Sequence, residues 1–220
     1  MSEALLGRAP RVISVEAMAK DKKTPGFKRI CVFCGTNPGE RPEYGAAARE
    51  LGELLAGEGI ELVYGGASVG IMGELADAVH EAGGHVTGII PQQLMKKEAA
   101  HTGIPDLIVV ASMHQRKSQM ADLSDGFIAL PGGIGTMEGY FEILTWGQLN
   151  IHRKPSGILN VAGYFDHLIA FLDHAVKEGF LAKEHREMIV VESDPRKLLQ
   201  RLKRYAPEEG GERLMGRTHR

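Results

Sequence analysis

Three short apolar runs in this sequence, at 30–33, 61–64 and 127–130, lead directly into glycine-rich turns. The turns read Cys34-Gly35-Thr36-Asn37-Pro38-Gly39, Gly65-Gly66-Ala67-Ser68-Val69-Gly70-Ile71-Met72-Gly73 and Pro131-Gly132-Gly133-Ile134-Gly135-Thr136. An apolar run of this length bounded by glycine has the signature of a buried strand, and helical spacing follows it. Tyr44, Ala47, Ala48, Leu51, Leu54 and Leu55 recur at intervals of three and four, as do Leu75, Ala78, Val79 and Ala82. Further apolar runs lie at 86–90, 107–110, 157–159 and 188–191. Alternation of strand and helix predicts an α/β fold, a Rossmann-like parallel sheet with helices on both faces. Such sheets bind ligands beyond the carboxyl ends of their strands, so the turns are where chemistry is expected.

Glycine supplies 28 of the 220 residues, well above the usual share of about 7%, and without a fixed repeat. Successive glycines let backbone amides approach an anion, and a helix N-terminus adds exposed N–H groups and partial positive charge. Phosphate is the natural guest. Glycine equally permits a tight turn, and for any single turn the two readings stand side by side; three such turns at strand ends favour a ligand. The common nucleotide signatures are missing. No G-x-x-x-x-G-K-[ST] occurs, and Gly133-Ile134-Gly135-Thr136-Met137-Glu138 places glutamate where a dinucleotide fingerprint needs its third glycine.

The net charge of −2 provides no basic field, so nucleic acid is not an expected partner. No run approaches the ~18 apolar residues of a membrane span and the N-terminus lacks a signal-peptide apolar region, so a cytoplasmic protein without membrane contact is expected. Two cysteines make no disulfide framework. Cys31 and Cys34 have redox spacing, but on a strand an offset of three sends them to opposite faces, and packing is the expected role of Cys31. The nine histidines form no compact ligand set, so no metal is expected. Residues 1–27 lack periodicity and are expected to be a mobile tail, 28–205 the nucleotide-binding catalytic domain, and 206–220 a second tail.

The stretch Ser112-Met113-His114-Gln115-Arg116-Lys117 follows the fourth run and opens a helix. An adjacent arginine and lysine can bind phosphate or ribose oxygens, although such a pair taken alone is usually a solvated helix start. Its place between two glycine turns gives it the functional reading. A loop-end Arg116 is then expected to be removable with little loss of stability.

These segments, with Cys31-Val32-Phe33-Cys34-Gly35, Leu144-Thr145-Trp146 and Leu159-Asn160-Val161-Ala162-Gly163-Tyr164-Phe165, resemble the Lonely Guy (LOG) family over roughly residues 28–205. The resemblance implies a phosphoribohydrolase that cleaves the N-glycosidic bond of a cytokinin riboside or adenosine 5′-monophosphate to free base and ribose 5-phosphate. It also implies a homodimer with the nucleotide near the subunit interface, and no cofactor. Gly133, Gly135 and Thr136 match the family's phosphate turn, with Gly132, Ile134 and Met137 beside them. Arg116 and Lys117 match the basic pair over the phosphoribosyl group. Gly65, Gly66, Glu98, Met113 and Thr145 match positions that touch substrate. Members often carry the label lysine decarboxylase, but no Schiff-base lysine with an acidic partner stands out here.

One position departs from the family. The motif P-G-G-x-G-T-x-x-E ends at Gly139 instead of the catalytic glutamate, with Glu138 just before it and Glu142 one turn later. Neighbours on a helix point about 100° apart, so Glu138 must adjust to replace a carboxylate at 139. Arg116 and Glu138 are the expected catalytic residues, by analogy with charge stabilisation in glycoside hydrolysis. The alternative is a nucleoside monophosphate binding protein with little turnover. Ile143, Trp146 and Leu149 form an apolar stripe expected either at a dimer interface or wholly in the core, the latter above all for Ile143.

Overall fold

The computed structural model describes residues 27–95 and 99–205. The two expected tails, apart from Phe27, and Glu98 lie outside the described residues. Seven strands form one sheet: β1 (Arg29–Phe33), β2 (Glu61–Tyr64), β3 (Val86–Pro91), β4 (Asp106–Val110), β5 (Gly126–Ala129), β6 (Ser156–Leu159) and β7 (Ile189–Glu192). Their order is β4-β3-β2-β1-β5-β6-β7, and every pairing is parallel. Each strand overlaps the apolar run that predicts it. A strand covered on both faces must be apolar on both, which is why runs and not alternation mark them.

The helices are α1 (Pro42–Gly57), α2 (Gly70–Glu81), α3 (Met113–Leu123), α4 (Ile134–Gln148), α5 (Asp166–Lys177), α6 (Lys183–Glu187) and α7 (Pro195–Lys203). Alternate residues of β1 enter different cores. Ile30, Val32 and Cys34 pack with α1, α2 and α7 through Leu51, Leu75 and Leu198. Cys31 and Phe33 pack with α3, α4 and α5 through Met120, Ile143 and Leu172. The two cysteines are therefore free, buried and on opposite faces. Ile143 of the apolar stripe is buried in the second core, whereas Leu149 is 63% exposed.

From β1 the chain steps outward to β4, then returns through α3 to place β5 on the other side of β1. At this reversal the turns after β1 and β5 lead to helices on opposite faces and leave a crevice at the sheet's carboxyl edge. No helix among the described residues is long and apolar enough to cross a membrane.

Leu75 is fully buried between α2 and the sheet. Leu75→Ala is expected to cost about 2–5 kcal/mol of unfolding free energy in urea denaturation, since its methyl groups leave a void that close-packed neighbours cannot fill. A cost below about 1 kcal/mol would contradict this packing.

Candidate active site

The crevice is a cavity of about 460 Å³, within the size range of small-molecule sites. One wall is the turn that joins β5 to α4. Gly133, in extended conformation, is the N-cap of α4 and provides no side-chain cap, so the first-turn N–H groups face the opening without one. Gly35 N donates to Pro131 O at 3.0 Å and ties this turn to the one after β1.

The glycines of the turn serve two different ends. A Cβ on Gly132 would collide with Thr136 Oγ1 and lie 2.7 Å from Gly35 N, so packing alone excludes a side chain there. Around Gly133 and Gly135 a Cβ would meet nothing within 4 Å. Neither crowding nor a left-handed backbone accounts for these two; the open space does, because it lets an anion reach the amides.

The opposite wall comes from α3. Ser112 Oγ accepts from Gln115 N at 3.2 Å and Gln115 Oε1 from Ala111 N at 2.9 Å, a variant of the capping box that fixes where the helix begins. One turn in, Arg116 and Lys117 are both buried, at 6% and 8% exposure. Arg116 Nε donates to Ile89 O at 2.9 Å and Nη2 to Gly65 O at 2.5 Å, so its guanidinium bridges the carboxyl ends of β3 and β2. This corrects the reading of Arg116 as a dispensable loop-end residue: it serves the fold as well as the cavity it lines.

Lys117 Nζ is ion-paired with Glu138 Oε1 and lies 3.0 Å from Glu142 Oε2. Burial pushes its pKa down, but the hydrogen bonds and charges of Glu138 and Glu142 outweigh it, and the pKa ends above the ordinary lysine value. Lys117 therefore stays an ammonium. Among the described residues it is the one lysine lining the cavity, and a firmly protonated amine does not suit Schiff-base chemistry. Cys34 also borders the cavity, but burial raises its thiol far above the ordinary range, more than the nearby Arg116 charge lowers it. It cannot serve as a thiolate.

Glu138 lines the cavity with its side chain 53% exposed, while Glu142 stands behind it. Gly139 also lines the cavity, and a Cβ there would come within 2.8 Å of the Phe33 ring. A side chain at 139 enters only if Phe33 turns aside, so Glu138 is the carboxylate that α4 presents.

Of the expected site residues, Gly65, Met113, Arg116, Lys117, Gly132, Gly133, Ile134, Gly135, Thr136, Glu138 and Gly139 come together around the cavity. Gly66, with φ of +79°, packs against Ile90 and Leu107, and Met137 packs on the second core. Thr145 is exposed near the far end of α4, with Oγ1 donating to Phe141 O at 2.8 Å. None of these three lines the cavity of a single chain. The turn 36–39 and Met72, both within the glycine turns where chemistry is expected, line the cavity as well, and so do Tyr44 and Tyr164, which sequence reasoning did not assign to the site. Tyr44 reads in the sequence as part of a core stripe.

A family model described as "Possible lysine decarboxylase" matches residues 72–202. The cytokinin riboside 5′-monophosphate phosphoribohydrolase LOG3 of Arabidopsis thaliana is 49% identical over 195 residues, 89% of each chain. The chain belongs to the LOG family. LOG7 of the same plant, also a cytokinin riboside 5′-monophosphate phosphoribohydrolase, is 51% identical over 182 residues, 83% of this chain and 84% of its own. The fold extends beyond the LOG family. A molybdenum cofactor binding protein from Rippkaea orientalis superposes with a TM-score of 0.61 at 24% identity, over 82% of this chain and 98% of its own.

Because Arg116 satisfies two buried carbonyls, Arg116→Ala is expected to lower unfolding free energy by about 2–4 kcal/mol as well as weaken ligand binding. Urea denaturation checks it. A stability within 0.5 kcal/mol of the parent, roughly that of a surface change, would return Arg116 to a purely ligand-facing role.

Proposed function

We propose that the protein hydrolyses the N-glycosidic bond of a cytokinin riboside or adenosine 5′-monophosphate, giving free base and ribose 5-phosphate. The observation that carries this reading is one cavity that joins an uncapped helix N-terminus to a lysine-held carboxylate. In the proposed pose the 5′-phosphate sits on the amides of residues 133–136, and Arg116 and Lys117 flank the phosphoribosyl group. Bond cleavage builds positive charge on the ribose ring, and the carboxylate of Glu138 stabilises that charge. Water then adds its hydroxyl to C1′, and its proton leaves with the base. Lys117 fixes Glu138 in place.

The second reading is nucleotide binding with little turnover, and Gly139 favours it. Position 139, where the family motif carries its glutamate, has no carboxylate, and a Cβ there would come within 2.8 Å of the Phe33 ring. Glu138→Gln separates the two. Chromatography of released base is expected to show turnover by the parent and a loss on the order of 100- to 1,000-fold in the variant. A parent chain that binds adenosine 5′-monophosphate yet releases no base would favour the binding protein.

A cytoplasmic homodimer completes the proposal. The apolar residues of α4 reach beyond its core-facing side: Tyr140 and Ile143 are buried, while Phe141, Leu144 and Trp146 are only half-buried. Apolar surface left half-exposed on a helix is buried when a second copy packs against it. Thr145, off its own cavity on this helix, would then stand at the interface. Sedimentation at micromolar concentration is expected to give a dimer; a monomer alone would remove this part of the proposal.

A further inference from the structure

The segment after β6, Asn160-Val161-Ala162-Gly163-Tyr164-Phe165, has no part in the chemistry above, yet it is tied down at several points. Asn160 Oδ1 accepts from Phe165 N at 2.7 Å, and Asn160 Nδ2 donates to Asp166 Oδ1 at 2.7 Å. Asn160 N donates to Glu192 O at 2.8 Å, and Arg41 Nη1 reaches Ala162 O at 3.3 Å. Val161 is buried in one core and Phe165 in the other. Between them the backbone passes through two left-handed residues, Ala162 at φ 49° and Gly163 at φ 74°. A non-glycine residue held in this region costs free energy, and such positions persist where the surroundings over-determine them.

What the hook presents is Tyr164. Its ring packs edge-on against Tyr44 at 5.5 Å and Phe165 at 4.9 Å, and its hydroxyl donates to Gly132 O at 2.7 Å. Three successive carbonyls of the turn then have protein donors: Pro131 O from Gly35 N, Gly132 O from Tyr164 and Gly133 O from Met137 N. The peptide bonds of the described residues are all trans, so each N–H points opposite its own carbonyl. The 132–133 peptide lies between two glycines and is the one in this turn most free to rotate. Rotated by half a turn, it would face an anion with an oxygen in place of a hydrogen.

We infer that Tyr164 is a positioning residue of the phosphate turn: its hydroxyl fixes the 132–133 peptide so that Gly133 N–H, not Gly132 O, faces the phosphate. The inference rests on the proposed nucleotide site. Its test is Tyr164→Phe, which keeps the ring contacts and removes only the hydroxyl. Calorimetric titration with adenosine 5′-monophosphate, ribose 5-phosphate and adenosine reads the phosphate contribution directly. Both phosphorylated ligands are expected to bind about 3- to 10-fold more weakly, the effect of one lost hydrogen bond, with adenosine unchanged. In turnover the same change is expected in KM, with kcat nearly constant. A parent that prefers nucleotide to nucleoside and a variant with undiminished preference would overturn the role of Tyr164 alone. Equal losses for adenosine and its monophosphate would do the same and leave Tyr164 a wall residue. A parent with no preference for the monophosphate would remove the phosphate site and this inference together. Melting temperatures recorded alongside identify a misfolded variant, and Tyr164→His, which keeps a ring donor, is then expected to restore part of the preference; no recovery in a folded His variant counts against the inference.

Discussion

The reversal of strand order beside β1 is the constraint from which the site follows. With every strand parallel, all carboxyl ends lie on one edge, and helices leaving them on both faces part only where the order turns back. The turns after β1 and β5 meet there and are stitched by a backbone hydrogen bond from Gly35 to Pro131. α3, the element that makes the return from β4, delivers Arg116 and Lys117 to the same edge. Ligand groups thus arrive from segments far apart in sequence without a loop having to reach for them.

The cationic side of the cavity is organised by burial. Arg116 spends two donors on strand-end carbonyls, and Lys117 is held between two glutamates of α4. Such charges lose little further conformational entropy when a ligand arrives, which is the gain from preorganisation. They also bind α3, α4 and two strand ends into one unit, so local loosening at any of these would reach the others.

The strands were legible in the sequence because each is buried on both faces and reads as an unbroken apolar run. The glycine turns were legible because backbone demands on glycine are local. Side-chain destinations across the fold were not. Arg116 meets carbonyls 27 and 51 positions away, and Tyr164 one 32 positions away, partners set by strand order and not by spacing. A guanidinium near a helix start looks solvated until the strands beneath it are known. Gly139 shows the reverse case: its departure from the family motif was visible at once, but the ring occupying the space came into view only with the β1 side chains in place.

That ring makes positions 33 and 139 a coupled pair. Phe33 holds the volume that any side chain at 139 needs, so the fitness of a change at either depends on the state of the other. A glutamate at 139 is therefore accommodated only as far as the Phe33 ring can rotate within the second core. The packing of a β1 side chain thus sets which side chains α4 can carry at the cavity wall.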